Sequence, residues 1–364
     1  MSAPIAFLPN LAQVRQRTLD VMARQSISHR SPEFHELFAR VQDGLRTVFR
    51  TERPIYVATA SGTGMMEAAI RCAPRGRILC LVNGVFGERF VRIARSCGRN
   101  VEQYNVAAGD VPSADAVGRL LEHAEYSALT MIHNETSTGA LADVAAIAQK
   151  ARDAGVATIV DSVSGIGGAR LESEAWQLDC VVSASQKALG LPPGLSFATA
   201  SEQYLRTATE VDGRGLYLDL VDFDAHARNS ETPTTPNVPL IYALDTQLAS
   251  IVAEGMDARW RRHSAMRALT EQWVESLRDE IGPEFGILAL PGVRSPTVTV
   301  LTLPAEIRPE RVIAGAARYG YQIGAGQGAF KTNTVRIGHM GDHSVEELDG
   351  CLAAVSSALR EVRD

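Results

Sequence analysis

Between Arg53 and Ala200, short runs of apolar and β-branched residues alternate with longer stretches in which apolar positions recur every three or four residues. The short runs predict strands at 55–60, 78–83, 101–105, 128–133, 156–160, 180–184 and 196–200. The longer stretches predict helices at 65–72, 88–97, 114–124 and 144–154. Several strands are apolar at every position rather than at alternate ones, as a sheet covered on both faces requires. This predicts an α/β fold: a three-layer domain around a mostly parallel sheet.

Beyond Pro239 the pattern changes. Ile241, Leu244, Leu248, Ile251, Trp260, Met266, Trp273 and Leu277 keep helical spacing over a long stretch that Gly282-Pro283 ends. Strands at 297–303 and 334–337, with helices at 309–319 and 344–362, then predict a small C-terminal α+β domain joined to the first by the long helical stretch. A chain of 364 residues accommodates such a pair of domains. With 45% hydrophobic and 21% charged residues it has the makings of a substantial core. The formal net charge of -6 offers no basic excess to neutralise a phosphate backbone, which argues against nucleic acid as a partner. The five cysteines, Cys72, Cys80, Cys97, Cys180 and Cys351, are odd in number and far apart. They read as buried thiols in a reducing compartment, not as a disulfide frame or a metal site. No window of eighteen apolar residues and no charged-then-apolar leader pattern is visible, so the expectation is a cytoplasmic chain without a membrane partner.

Open α/β sheets bind ligands at the carboxyl ends of their strands. The polar clusters fall at those ends: Ser61-Gly62-Thr63-Gly64, Asn83-Gly84, 134–139, Asp161-Ser162 and Ser185-Gln186-Lys187. Ser61-Gly62-Thr63-Gly64 runs into a helix, where backbone N–H groups and two hydroxyls suit a phosphate; the same residues also serve an ordinary capped turn. Asp161 ends an apolar strand, where a carboxylate can keep a pyridine nitrogen protonated or simply cap the next turn. Lysine is scarce: of 36 basic residues only Lys150, Lys187 and Lys331 are lysine. Lys187 alone lies between an apolar strand exit and a Gly/Pro turn, where partial desolvation lowers the pKa of an amine that must attack a carbonyl. Lys150 and Lys331 read as surface residues.

Six segments carry a resemblance: SGTGMMEA at 61–68, NGVFGE at 83–88, HNETSTG at 133–139, DSVSGIGG at 161–168, SQKALGLPPG at 185–194 and RIGHMG at 336–341. In this order, over nearly the whole chain, they resemble the class V aminotransferases of pyridoxal-phosphate (PLP) fold type I, in particular the alanine-, serine- and aspartate–glyoxylate group. The resemblance implies that Lys187 carries pyridoxal 5'-phosphate as a Schiff base and that Asp161 pairs with the pyridine nitrogen. It implies that Ser61, Gly62, Thr63 and Gln186 hold the phosphate, that Phe86 stacks on the ring, and that Val163 packs on the opposite face. Thr136 would contact the ring oxygen or the substrate carboxylate, and Arg336 would bind that carboxylate as a bidentate pair. Thr232 and Thr235 would reach across a homodimer interface to the neighbouring phosphate. His29, His133 and His339 would be structural, because Lys187 itself shuttles the proton in this family.

The resemblance divides the chain into an N-terminal arm at 1–20, a large PLP-binding domain at 21–255 and a small domain at 256–364. It implies a ping-pong aminotransferase acting on a small amino acid of the alanine, serine or aspartate type and a small 2-oxo acid such as glyoxylate or pyruvate. Where the family commonly has Gly-Pro near the N-terminus, this chain has Asn10-Leu11. Asn10 is therefore a candidate substrate contact. Two rival readings stay open: a PLP lyase or desulfurase on the same fold, and a non-catalytic relative acting as a binding subunit.

Overall fold

The computed structural model describes residues 4–363, so Met1, Ser2 and Ala3 of the expected arm and Asp364 of the expected small domain lie outside the described residues. The seven predicted strands form one sheet. Its order is Tyr56–Ala58, Ser196–Ala200, Cys180–Ala184, Ala157–Asp161, Ala128–Ile132, Arg77–Val82 and Asn100–Asn105. Ser196–Ala200 is antiparallel to both neighbours, while the other pairings are parallel, which gives a mostly parallel sheet with one reversed strand.

Burial on both faces follows from the residues themselves. In Arg77–Val82, Leu79 and Leu81 pack on one side, with helices Pro32–Phe49, Val144–Asp153 and Val238–Glu254. Ile78, Cys80 and Val82 pack on the other side, with helices Gly62–Cys72 and Val85–Ser96. Side chains alternate across a strand, so a run that is apolar throughout supplies both cores.

A second, five-stranded sheet has the order Ile5–Phe7, Tyr321–Ala325, Thr334–Ile337, Thr299–Thr302 and Gly286–Ile287. Its core unites Phe7 and Phe285 with helices Met256–Ile281, Pro309–Arg318 and Val345–Arg363. Ile5–Phe7 pairs in parallel with Tyr321–Ala325, so the N-terminal segment is an edge strand of the small domain's sheet. The long helical stretch is two helices, Val238–Glu254 and Met256–Ile281, separated by Gly255 at φ 79°. Met256 and Trp260 still belong to the large domain's core, whereas Met266 onward packs in the small one, so this second helix ties the two together. Helix Pro32–Phe49 is not among the predicted elements, although Ser31 caps it by accepting from the Phe34 N–H and Pro32 opens it.

Candidate active site

Lys187 stands just past the end of strand Cys180–Ala184, in a loop closed on itself. The Ser185 N–H donates to Leu195 O at 3.0 Å, the Ser185 hydroxyl to Pro192 O at 2.7 Å, and the Gly190 N–H to Lys187 O at 2.8 Å. Gly190 takes φ +69°, a left-handed conformation that closes the turn without strain. The Lys187 side chain is buried, and its Nζ donates to the carbonyl of Pro9. Burial brings its pKa down to about 7, helped by the charge of Arg336 and opposed by Asp161 and Glu135. Lys150 is half-buried and Lys331 exposed.

Asp161 ends the neighbouring strand and is 3% exposed. Its Oδ1 accepts from the Val163 N–H at 2.7 Å, a bond within its own turn, and it caps no helix. Among the described residues Oδ2 has no hydrogen-bond partner. Burial raises this carboxyl to about 6; the Val163 N–H, Lys187 and Arg89 favour the charged form, and Glu135 disfavours it. A cationic N–H donor is a partner that the free oxygen of such a carboxylate can take.

Ser61 is the residue before helix Gly62–Cys72, yet its hydroxyl makes no capping bond, which leaves it and the N–H groups of Gly62 and Thr63 available, while the Gly64 N–H donates to Ser61 O at 2.9 Å. Gly62 is needed here for space: a Cβ would lie 2.9 Å from Val163 Cγ2. Thr63 Oγ1 accepts from Arg89 Nη1 at 3.0 Å, and the same guanidinium lies 4.6 Å over the Phe86 ring. Phe86 and Val163 are half-buried, as residues that present a face to a ligand should be. Gln186 is half-buried beside Lys187, and its carbonyl accepts from the Ala12 N–H at 2.9 Å.

Pro9, Asn10, Phe86, Lys187, Gln327 and Arg336 line one cavity of about 390 Å³. Arg336 is 9% exposed and makes no ion pair among the described residues. Its Nε donates to Ala325 O at 2.8 Å, and Nη1 donates to Thr136 O at 3.2 Å and Gln327 Oε1 at 2.9 Å. Nη2 is left without a hydrogen-bond partner among the described residues. Desolvation pulls this guanidinium down to about 10, so it is a buried cation awaiting an anion. Thr136 is buried, and its hydroxyl shares a hydrogen bond with that of Ser164. Asn10 is exposed and lines this cavity, and among the described residues its side chain has no hydrogen-bond partner.

A larger cleft of about 550 Å³ opens at the other ends of the strands, around Ser127, Ala157, Asp179 and Ser201. It has no lysine, and Asp179 is occupied by Thr158 and Ser201. The smaller cavity is the one that brings the buried Lys187 amine and the Arg336 guanidinium together.

Three participants were not among the sequence candidates. Glu135 is fully buried: Oε2 accepts from the Phe86 and Gly87 N–H groups at 3.0 and 3.3 Å, and Oε1 from the Ser137 N–H and hydroxyl at 3.0 and 2.5 Å. It thereby fixes the start of the helix that carries Phe86. Arg89 and Gln327 are the others. An acidic residue in the polar cluster just past strand Ala128–Ile132 was the available signal for Glu135; Arg89 and Gln327 depend on contacts that the sequence does not display.

Behind the site, Arg259 is 1% exposed. It donates to Gly167 O at 2.9 Å and Ala188 O at 2.7 Å, and pairs with Glu254 at 2.7 Å and Asp342 at 3.0 Å. His133 bonds Ser162 Oγ at 2.9 Å, and His339 bonds Thr299 Oγ1 at 2.9 Å and Pro296 O at 3.0 Å. Burial lowers both to about 4, as structural imidazoles require. His29 stands edge-on to Phe34. Thr232 and Thr235 do not join the cluster within this chain: Thr232 is buried with an unpartnered hydroxyl, and Thr235 is exposed.

Residues 12–289 match the family described as Aminotransferase class-V. An uncharacterised aminotransferase of Methanocaldococcus jannaschii is 32% identical, over 98% of this chain and 93% of its own length. The serine–glyoxylate aminotransferase of Methylorubrum extorquens is 31% identical, over 97% and 90%. The crystal structure of an alanine–glyoxylate aminotransferase from Nostoc sp. superposes with a TM-score of 0.90 at 28% identity, over 99% of this chain and 96% of that one.

Proposed function

The chain belongs to the class-V aminotransferase family, and from that premise we propose that it moves an amino group from a small amino acid to a small 2-oxo acid, glyoxylate or pyruvate being the acceptor class. It is a PLP-dependent aminotransferase of fold type I. The residues present fit the cofactor: a buried amine near neutrality, a buried carboxylate with one oxygen unpartnered, and a helix start whose Ser61 hydroxyl makes no capping bond.

Pyridoxal phosphate supplies an aldehyde that condenses with amines and a protonated ring that takes up the electron pair left when a Cα–H bond breaks. The protein's own residues do the rest. Lys187 with a pKa of about 7 is substantially uncharged at neutral pH, so Nζ is a competent nucleophile and then a base for the substrate Cα proton. Asp161 Oδ2 would accept from the ring N–H and so would keep the ring cationic. Arg336 Nη2 takes the substrate carboxylate, which orients the Cα–H bond toward Lys187. Phe86 and Val163 would flank the ring, and Ser61, Gly62, Thr63 and Gln186 would hold the phosphate. The amino group leaves the donor as its oxo acid departs, and the acceptor then takes it up in a second, separate half-reaction.

The observation that carries this reading is the buried Lys187 amine sharing one cavity with Arg336 at the carboxyl edge of the sheet. The test is a panel of alanine, serine and aspartate mixed singly with the holoenzyme without acceptor. Loss of the bound cofactor's visible absorbance with one equivalent of oxo acid supports transamination; continuous oxo acid release without acceptor supports a lyase instead, and a colourless, unreactive protein supports a binding subunit. The desulfurase reading lacks a thiol to accept sulfur. Cys72, Cys80, Cys180 and Cys351 are buried, and burial raises all five thiols.

The active unit in this proposal is a homodimer, with Thr232 and Thr235 completing the neighbouring phosphate site. Leu216, 89% exposed, and Tyr217 form an apolar loop, and Tyr217 reaches Thr59 O, two residues before Ser61. A second copy would cover them, and sedimentation of the holoenzyme reads the state directly. The free thiols suit a reducing compartment such as the cytoplasm. No described helix is long and apolar enough to cross a membrane.

A further inference from the structure

The residues assigned to the cofactor phosphate, Ser61, Gly62, Thr63 and Gln186, together with Thr232 and Thr235, are all uncharged. A phosphate monoester carries close to two negative charges at pH 7. Arg89 is the cation that borders this cradle. It lies in helix Val85–Ser96, and among the described residues it makes no salt bridge. Its guanidinium has two contacts, the Thr63 hydroxyl at 3.0 Å and the Phe86 ring at 4.6 Å, and its charge is felt at both Asp161 and Lys187.

The direction of the first contact decides its meaning. A guanidinium only donates, so Thr63 Oγ1 is the acceptor, and the hydroxyl's single hydrogen must point elsewhere. Thr63 is thereby set as a donor toward the cradle, and a donor is what a phosphate oxygen needs. The second contact, a cation over an aromatic face, restrains the ring that the cofactor stacks on.

We propose that Arg89 is a positioning residue for the cofactor phosphate, which acts by locking the Thr63 hydroxyl as a donor and by placing a fixed positive charge behind the cradle. The proposal rests on the phosphate assignment made above. Losing the route through Thr63 weakens a phosphate-bearing ligand selectively, whereas the charge that Arg89 also places near Asp161 and Lys187 acts on both ligands alike.

The experiment compares pyridoxal phosphate with pyridoxal, which lacks the phosphate, in absorbance titrations of cofactor-free protein. The variants are Arg89→Met, Arg89→Lys, Thr63→Val and the Arg89→Met/Thr63→Val pair. Arg89→Met is expected to weaken pyridoxal phosphate about 10-fold or more, the scale of a lost charge-assisted hydrogen bond, with pyridoxal within about twofold. Thr63→Val should reproduce this selectivity with the arginine intact, and the pair should lose less than the product of the single losses, as coupled neighbours do. Arg89→Lys, which keeps the charge, should fall between wild type and Arg89→Met. Equal weakening of both ligands, or multiplicative losses in the pair, would overturn the proposal. If Arg89→Met does not fold, the Thr63→Val comparison alone decides, since an unselective loss there overturns the route through the hydroxyl. Failure of the wild type to bind pyridoxal phosphate at all would instead sink the cofactor-site assignment, and the two failures are distinct.

Discussion

The carbonyl oxygen of Pro9 accepts a hydrogen bond from Nζ of Lys187, although 178 residues separate them in the chain. The segment that supplies this carbonyl is anchored on both sides, by the pairing of Ile5–Phe7 with Tyr321–Ala325 and by the Ala12 N–H on Gln186 O. It covers the reactive amine and contributes to the burial that depresses its pKa.

Because burial lowers Lys187 to about 7, its uncharged form accumulates as pH rises through 7 rather than through the ordinary lysine value near 10.5. The rate at which cofactor-free protein captures pyridoxal phosphate should therefore rise with pH, with a midpoint near 7. Stopped-flow absorbance between pH 5.5 and about 11, a range that brackets both values, measures it. A midpoint near that of free lysine would mean that the amine is solvated.

Asp161→Asn keeps the shape but removes the charge that would sustain a cationic ring. A fall in kcat of about 100- to 1,000-fold is expected, the scale of losing one preorganised electrostatic partner. Donor KM should change far less. Single-turnover half-reactions separate the two quantities.

Arg336→Gln should act chiefly on substrate binding. Removing one member of a buried charge pair costs about 2–5 kcal/mol, so KM for the donor should rise by roughly 30-fold or more, while cofactor absorbance stays intact. Steady-state kinetics at fixed acceptor, with spectra of each preparation, reads both.

Arg259→Leu tests the support behind the site. It removes the buried guanidinium from Glu254, which keeps Arg262, and from Asp342, which keeps Gln247 and Arg17, and it leaves the carbonyls of Gly167 and Ala188 without their donor. Losing one partner of a buried ion pair costs about 3–5 kcal/mol, visible as a lower denaturant midpoint for the cofactor-free protein. An unchanged midpoint would show that the pair is dispensable.

Asn10→Gly should leave stability within about 0.5 kcal/mol, as exposed substitutions do, because the side chain makes no hydrogen bond to the protein. A changed ranking of alanine, serine and aspartate by kcat/KM is expected. An unchanged ranking would remove Asn10 from the substrate pocket.

The large sheet was legible in the sequence because its strands are buried on both faces. Cys180–Ala184 and Ser196–Ala200 coincide with the predicted bounds, since every position there is apolar or small and every one is buried. Tyr321–Ala325 was not, because it is partly exposed and ends in Gly324-Ala325, with no apolar run or periodicity to read. Ile5–Phe7 has only three residues, and its partner lies at the far end of the chain. Within the site, Lys187 and Asp161 announced themselves by their place at strand ends. Arg89 and Gln327 did not, because an arginine in an amphipathic helix and a glutamine in a loop look ordinary until the fold brings them to Thr63 and Arg336.

The reversed strand Ser196–Ala200 has a consequence for how the molecule assembles. Because it returns directly beside Cys180–Ala184, the loop bearing Lys187 closes over a short stretch of sequence, from Ser185 to Leu195, at small entropic cost. Pro9 and Arg336 must reach it from distant parts of the polypeptide. Local closures precede remote ones on a kinetic basis, so during refolding the nucleophilic loop should be shaped first and the anion-binding wall should arrive last. Recovery of cofactor colour is then expected to run ahead of recovery of turnover.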